Sequence, residues 1–195
     1  MIVSNDDVIA PANGFGEHGH RDMEIVTWVL SGRLAHRDSE GNQGELYPGL
    51  AQRMSAGSGI RHSEINPSPD EPVHFVQMWV LPDTAGVPPG YEQRDINDAL
   101  RGGQLAPIAS GQGHAGAIAI HQRDAVLWGA RLGRGQSVAV PAGEFVHVFV
   151  ALGAGTLGAD LLATGDTARL IDQSTIDFTA TLDGTGVLIW VTGPR

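Results

Sequence analysis

Two short motifs dictate most of what this chain can become. Gly16-Glu17-His18-Gly19-His20-Arg21-Asp22-Met23-Glu24 sets two imidazoles two residues apart, and Gly57-Ser58-Gly59-Ile60-Arg61-His62-Ser63-Glu64 sets an imidazole and a carboxylate at the same spacing. In an extended strand, residues two apart share one face, with Cα atoms roughly 6.5 to 7 Å apart. Each pair can therefore converge on one ion if it lies on a strand, and the two pairs together need strands that face each other. The product is a four-ligand cage of His18, His20, His62 and Glu64. Three imidazoles and one carboxylate suit Fe, Mn, Ni, Cu or Zn, and they leave one or two positions of an octahedral ion open for chemistry.

The text around these motifs reads as strand after strand. Glu24-Ile25-Val26-Thr27-Trp28-Val29-Leu30 is β-branched and aromatic, and Ser31-Gly32 turns it into Arg33-Leu34-Ala35-His36-Arg37. Asp38-Ser39-Glu40-Gly41-Asn42 has the composition of a hairpin loop. Glu45-Leu46-Tyr47, a Pro48-Gly49 turn and Ala51-Gln52-Arg53-Met54 follow, and Val73 to Leu81 is the most strand-like run in the chain. The 27 glycines in 195 residues are about twice the ordinary usage of roughly 7%, as many tight turns between short strands require. Even spacing of this kind predicts an all-β barrel or sandwich. Pro82 to Arg94 reads as a Pro- and Gly-rich connector. Asp95 to Leu100 is the one place where a helical turn or two is expected, with Asp95 as its N-cap.

The formal charge is −10, from 22 acids against 12 scattered bases, which argues against direct nucleic-acid binding and against an anionic membrane surface. With no cysteine there is no disulfide framework, thiolate metal site or thiol nucleophile. The first residues, Met1-Ile2-Val3-Ser4-Asn5-Asp6-Asp7, carry neither a basic nor an apolar signal region. No apolar run approaches the ~20 residues of a membrane span. A cytoplasmic location is the expectation.

The second half repeats the first in outline. Glu144 to Gly153 resembles the strand that ends at Val29-Leu30-Ser31-Gly32, and Ala163-Thr164-Gly165-Asp166 resembles the Pro48-Gly49 turn. Aligning Gly153 with Gly32 puts Ala139 and Pro141 where His18 and His20 stand. Aligning Gly165 with Gly49 puts Phe178 opposite His62 and Ala180 opposite Glu64. None of the four offers a donor atom, so the second copy is expected to be a β module without metal.

These segments resemble the pirin family of bicupins, which includes quercetin 2,3-dioxygenases. The likeness runs from about residue 5 to residue 95. It rests on Gly14 to Glu24, His36-Arg37-Asp38-Ser39-Glu40-Gly41-Asn42, Met54 to Asn66 and Gln77-Met78-Trp79. The resemblance implies two cupin β-barrel modules in tandem, residues 1–94 with the metal and residues 95–195 without. It implies one divalent metal, iron first and Mn, Ni, Cu, Co or Zn as alternatives, bound by His18, His20, His62 and Glu64. Glu64 is also the expected catalytic ligand. Glu24 stands where many other cupins place a carboxylate ligand, but likeness to pirins favours Glu64 and leaves Glu24 a supporting role. Family members carry a leader of a few tens of residues ahead of the Asn5-Asp6-Asp7 stretch, and if it is absent here the expectation is either dimerisation through an open sheet edge or a looser, weakly soluble first module.

The activity implied by the resemblance is ring opening of a flavonol with dioxygen. Nothing in the residues selects quercetin. The rival reading is a non-catalytic, iron-binding redox sensor that acts through a protein partner, and a third is a vestigial metal site. Outside the motifs, His36, His74, His114, His121 and His147 have no partner at ligand spacing, which assigns each a surface or hydrogen-bonded core role. Met54, Met78 and Trp79 are candidates for a substrate pocket against the plainer reading of core. Arg21 and Asp22 flank the ligands and are left out of the site.

Overall fold

The computed structural model describes residues 1–193. They form two compact units, Met1–Asp95 with Ile118–Arg123, and Ile96–Ala117 with Asp124 onward. Both are β structures, as the strand spacing predicts.

Unit 1 contains β1 (Val3–Ile9), β2 (Gly14–His20), β3 (Glu24–Ser31), β4 (Leu34–Asp38), β5 (Gln43–Leu46), β6 (Leu50–Ser55), β7 (Ile60–Ile65), β8 (Val73–Val80) and β9 (Gly90–Asp95). Antiparallel pairing assembles two sheets, β1-β8-β3-β6-β9 and β2-β7-β4-β5. The β-branched run of β3 is buried from Glu24 to Val29 because it is the central strand of its sheet. Ile9, Val29, Val73 and Phe75 of the first sheet meet Leu34 and Leu46 of the second in one apolar cluster. Burying a side chain of this size is worth about 1.5 to 3 kcal/mol, so this contact holds the sheets face to face.

Two expectations fail here. The stretch read as a connector contains β9, which pairs along its length with β6 from Leu50↔Asp95 to Ser55↔Gly90. Its sequence, Gly-Tyr-Glu-Gln-Arg-Asp, is polar, and its partnership is made by backbone groups on a distant strand, so no local apolar signal marks it. Asp95 is also not a helix cap. It ends β9, and its carboxylate accepts a hydrogen bond from the Tyr47 hydroxyl at 2.8 Å. The helix α1 (Asn97–Leu100) has Ile96 at its N-cap and no side-chain cap.

After α1 come β10 (Ala106–Ser110) and β11 (Ile118–Ala119), the latter within the segment that belongs to unit 1. Unit 2 continues with β12 (Ala125–Leu132), β13 (Ser137–Val140), β14 (Gly143–Leu152), β15 (Ala154–Leu157), β16 (Asp160–Ala163), β17 (Thr167–Gln173), β18 (Ile176–Ala180) and β19 (Thr185–Thr192). Its sheets run β10-β12-β19-β14-β17 and β13-β18-β15-β16. The second order matches β2-β7-β4-β5 of unit 1 strand for strand. The turns match as well: Gly32 and Gly153 have φ of 75° and 80°. A Cβ at Gly32 would lie 2.5 Å from the Pro72 carbonyl oxygen, and one at Gly153 would lie 2.5 Å from Thr185 Oγ1. Only glycine fits both the dihedral and the space.

The repeat also corrects two residues. His18 pairs with His62 and His20 with Ile60, while Val138 pairs with Phe178 and Val140 with Ile176. The residues equivalent to His18 and His20 are therefore Val138 and Val140, one position before Ala139 and Pro141. Strand alternation makes the difference, because Val138 and Val140 are buried and Ala139 is exposed. With Phe178 and Ala180, they belong to the apolar core of unit 2. Phe178→Ala is expected to destabilise that unit by about 3 to 5 kcal/mol through the cavity it leaves. Chemical denaturation would show the loss, and an unchanged midpoint would contradict this placement.

Unit 2 also carries a pH dependence. Both ring nitrogens of His147 are buried without a hydrogen-bond partner. Burial, and then the nearby Arg169, push its pKa down to about 4 from 6.5. The unfolded chain takes up a proton below about 6.5 that the folded chain refuses until about 4, so stability is full above 6.5 and is lost as pH falls through this window. Because the ring is only partly buried, the loss by pH 4 is expected to be roughly 1 to 2 kcal/mol. Urea denaturation at pH 7 and pH 5 would measure it. A His147→Leu variant should flatten the dependence, and an equally steep one in that variant would contradict the assignment.

Candidate metal centre

The two motifs lie on paired strands, β2 and β7, with His18 directly opposite His62. Along β7, Ile60, His62 and Glu64 are buried while Arg61 and Ile65 are exposed, which is the alternation that two-residue spacing demands. The approach to the site is made by an irregularity between Phe15 and His18. A bulge there bends β2 and re-aims the residues that follow it. Just before it, a Cβ at Gly14 would fall 2.2 Å from the Glu64 carbonyl oxygen, so the close approach of the strands needs glycine at that position.

The three imidazoles converge. Ring centroids of His18 and His20 are 4.8 Å apart, those of His18 and His62 4.4 Å, and those of His20 and His62 5.0 Å. One nitrogen from each lies within 4.8 Å of the others. His18 Nδ1 is 2.8 Å from the Gly16 carbonyl oxygen. A carbonyl only accepts, so Nδ1 carries the proton and Nε2 presents its lone pair. That lone pair faces His62 Nε2 at 3.0 Å, and His20 Nε2 is buried with no partner. Two nitrogens bound to one ion at ~2.0 to 2.1 Å and at right angles would be about 3 Å apart. The residues present fit a divalent ion.

The electrostatics favour neutral ligands. Burial, then the neighbouring imidazoles, push the His62 pKa down to about 3. Burial and His18 lower that of His20 in the same way. Neutral imidazole is the form that ligates a metal. Glu64 sits deeper, with both oxygens accepting from Gln77 Nε2 at 3.0 and 2.9 Å. Gln77 is itself oriented by Trp79, whose indole N–H donates to Gln77 Oε1 at 3.1 Å. Burial raises the Glu64 carboxyl to about 7, against the opposing pull of the Gln77 hydrogen bonds.

Glu64 groups with His36 and His62, not with His18 and His20. His36 is the residue that sequence reasoning underrated. It does have the hydrogen-bonded core role expected of it, its Nε2 lying 3.3 Å from Asp38 Oδ2. It also lies opposite Glu64 in the β4–β7 pairing, and partners on a separate strand cannot be found by counting along the chain. The Asp38 carboxylate two residues away on the same face is the signal that was available.

The remaining candidates fall outside the ligand cluster. Glu24 is fully buried and accepts from Ser55 Oγ at 2.9 Å and from the His121 backbone N–H at 3.1 Å. It anchors the Ile118–Arg123 segment in place. Met54 and Met78 are core, with exposures of 1% and 2%. Trp79 packs edge-on against His20 at 4.9 Å. Asp22 adopts a φ of 50° and accepts from the Gly86 backbone N–H at 2.6 Å, so it braces the neighbouring loop. His74 bonds Asp6, and His114 bonds Ser110. A concavity of about 380 Å³, with His20, Arg21, Ile60 and Arg61 in its lining, opens beside the cluster. Among the described residues no helix is long and apolar enough to cross a membrane.

Comparison with known proteins gives one consistent result. The pirin family model matches residues 1–80, and the model described as quercetinase C-terminal cupin domain matches residues 107–190. A Mycobacterium tuberculosis protein provisionally assigned as a quercetin 2,3-dioxygenase is 53% identical over 192 residues, 97% of this chain and 78% of its own length. The Escherichia coli K12 quercetin 2,3-dioxygenase is 41% identical over 184 residues, covering 94% of this chain and 78% of the relative. Among solved structures, the nickel(II) complex of the bacterial pirin YhhW from Escherichia coli superposes with a TM-score of 0.87 at 37% identity. It covers 98% of this chain and 82% of that one.

Proposed function

The chain belongs to the pirin family of bicupins, and from that premise we propose that it is a metal-dependent dioxygenase that opens the heterocycle of a flavonol such as quercetin with O2. Both oxygen atoms enter the product. We read residues 1–94 as the metal-bearing module and residues 95–195 as the metal-free one. The observation that carries the reading is the convergence of His18, His20 and His62 beside an accessible concavity. The relatives named for this activity, at 41% to 53% identity, support it.

His18, His20, His62 and Glu64 are the proposed ligands, with iron as the ion. A divalent transition ion held there would supply Lewis-acid binding of a flavonolate oxygen, lowering the phenol pKa, and a route to dioxygen. The chain's own residues prepare that chemistry. The Gly16 carbonyl sets the tautomer of His18, and Gln77 keeps both Glu64 oxygens engaged. Trp79 positions Gln77 and packs on His20, linking the two ends of the cluster. With three neutral imidazoles and one carboxylate the site keeps a net charge near +1, which favours an anionic flavonolate. Arg21 in the lining of the concavity adds positive charge along its approach, while Arg61 there is paired with Glu17 at 2.9 Å.

The test is flavonol absorbance and oxygen uptake, measured in air on protein of known metal content with a panel of flavonols. One O2 consumed per flavonol is the expected result. No turnover of any flavonol by metal-loaded protein would move the function to a non-catalytic, iron-binding regulator.

A further inference from the structure

We propose that unit 1 provides a second, inner station for the same metal ion, formed by His36, His62 and Glu64. It rests on the reading of this cluster as a metal centre and not on the flavonol chemistry.

The geometry comes from the β4–β7 pairing, which sets His36 opposite Glu64 and Asp38 opposite His62. All three proposed ligands are buried, with exposures of 3% for His36, 2% for His62 and 2% for Glu64. One ligand atom from each lies within 4.8 Å of the others. Asp38 is what distinguishes this trio from a chance meeting of core residues. Its Oδ2 is 3.3 Å from His36 Nε2, and a carboxylate only accepts, so Nε2 carries the proton and Nδ1 the lone pair. That Nδ1 is buried and has no hydrogen-bond partner, and the same is true of Nδ1 of His62.

An imidazole that donates its other N–H to a carboxylate is the characteristic support of a metal-bound histidine. Here the carboxylate is itself held. Asp38 Oδ1 accepts from the backbone N–H groups of Glu40 at 3.0 Å and Asn42 at 2.9 Å, and the Asn42 side chain donates to both oxygens at 3.2 and 3.0 Å. Tyr91 stacks on the His36 ring, with centroids 4.9 Å apart and planes 28° apart. The ring is thus oriented from two sides while its other nitrogen is buried without a protein partner. What sets His36 apart from His147, whose two ring nitrogens are both buried without a partner, is the carboxylate bonded to its other nitrogen.

His62 belongs to both trios, and Glu64 is shared between the inner station and the proposed four-ligand set, so the proposal is for one ion per chain held at either station. His18 and His20 are partly exposed, whereas the inner three are sealed. An ion at the inner station is shielded from solvent and from chelators.

The test uses the metal-free full chain titrated with Co2+, whose visible absorption reports ligation by imidazole and carboxylate. Wild type should bind about one ion per chain. A His18→Ala/His20→Ala variant should still bind about one Co2+ with a visible spectrum. Adding His36→Ala should abolish that binding, and adding Asp38→Asn instead should weaken it about 10- to 100-fold. A folded His18→Ala/His20→Ala protein that binds no Co2+, or binds it equally well after His36→Ala, overturns the inner station. If circular dichroism shows that double variant unfolded, His36→Ala alone decides. Faster loss of bound Co2+ to a chelator supports the station, and an unchanged rate and spectrum overturn it. A wild type that binds no Co2+ overturns the metal centre as a whole, while a wild type inert towards flavonols leaves this inference standing.

Discussion

Replacing His62 by alanine should abolish stoichiometric metal binding, with a loss of affinity of at least ~100-fold. Changes to groups that merely support a ligand already cost about 10- to 100-fold, and His62 is the one histidine present in both ligand groups. It is also the most buried of the three converging imidazoles, and its Nε2 lies 3.0 Å from that of His18. His18→Ala or His20→Ala should cost less, since each belongs to the outer group alone. Elemental analysis of purified protein, with circular dichroism as a check on folding, measures the effect. Stoichiometric metal retained by a folded His18→Ala/His62→Ala protein would refute the site.

Glu64→Ala should lower flavonol turnover at least ~100-fold at matched metal content, because it removes the only anion among the four proposed ligands and raises the charge of the site. Gln77 would lose both of its acceptors at the same time, so the comparison should include Glu64→Gln, which keeps the shape without the charge. Equal rates in wild type and both variants would rule out Glu64 as a catalytic ligand.

The same carboxyl predicts how pH acts on the metal-free protein. Its folded pKa of about 7 stands above the ordinary carboxyl value of 4.5. Between these values the folded state keeps a proton that the unfolded chain has released, so the group favours the fold at low pH, and that contribution is lost as pH rises towards 7. A metal ion must displace this proton. Binding should therefore weaken as pH falls below 7, and Glu64→Gln should remove that dependence.

Much of the first module can be read along the chain. β3, β7 and β8 follow from β-branched and alternating residues, and the side-chain period of two leaves little freedom in which face His62 and Glu64 present. The turns at Gly32 and Gly153 follow from a backbone that only glycine accepts. The second module shows the limit of such counting. Aligning glycines put the empty ligand positions at Ala139 and Pro141, and the strand register puts them at Val138 and Val140. A one-residue slip moves every side chain to the other face, and nothing local marks the bulge that sets the register of β2.

By itself the sequence determined the class of fold and the same-face placing of His18 with His20 and of His62 with Glu64, because each rests on local periodicity or on spacing within one strand. Only the tertiary structure decided that β9 completes a sheet, that Glu64 is held by Gln77 from 13 residues away and that His36 stands beside His62 and Glu64. The physical reason is the same in each case. Partners across a sheet are chosen by backbone hydrogen bonds and by the packing of the whole module, and neither leaves a mark at the residue that receives them.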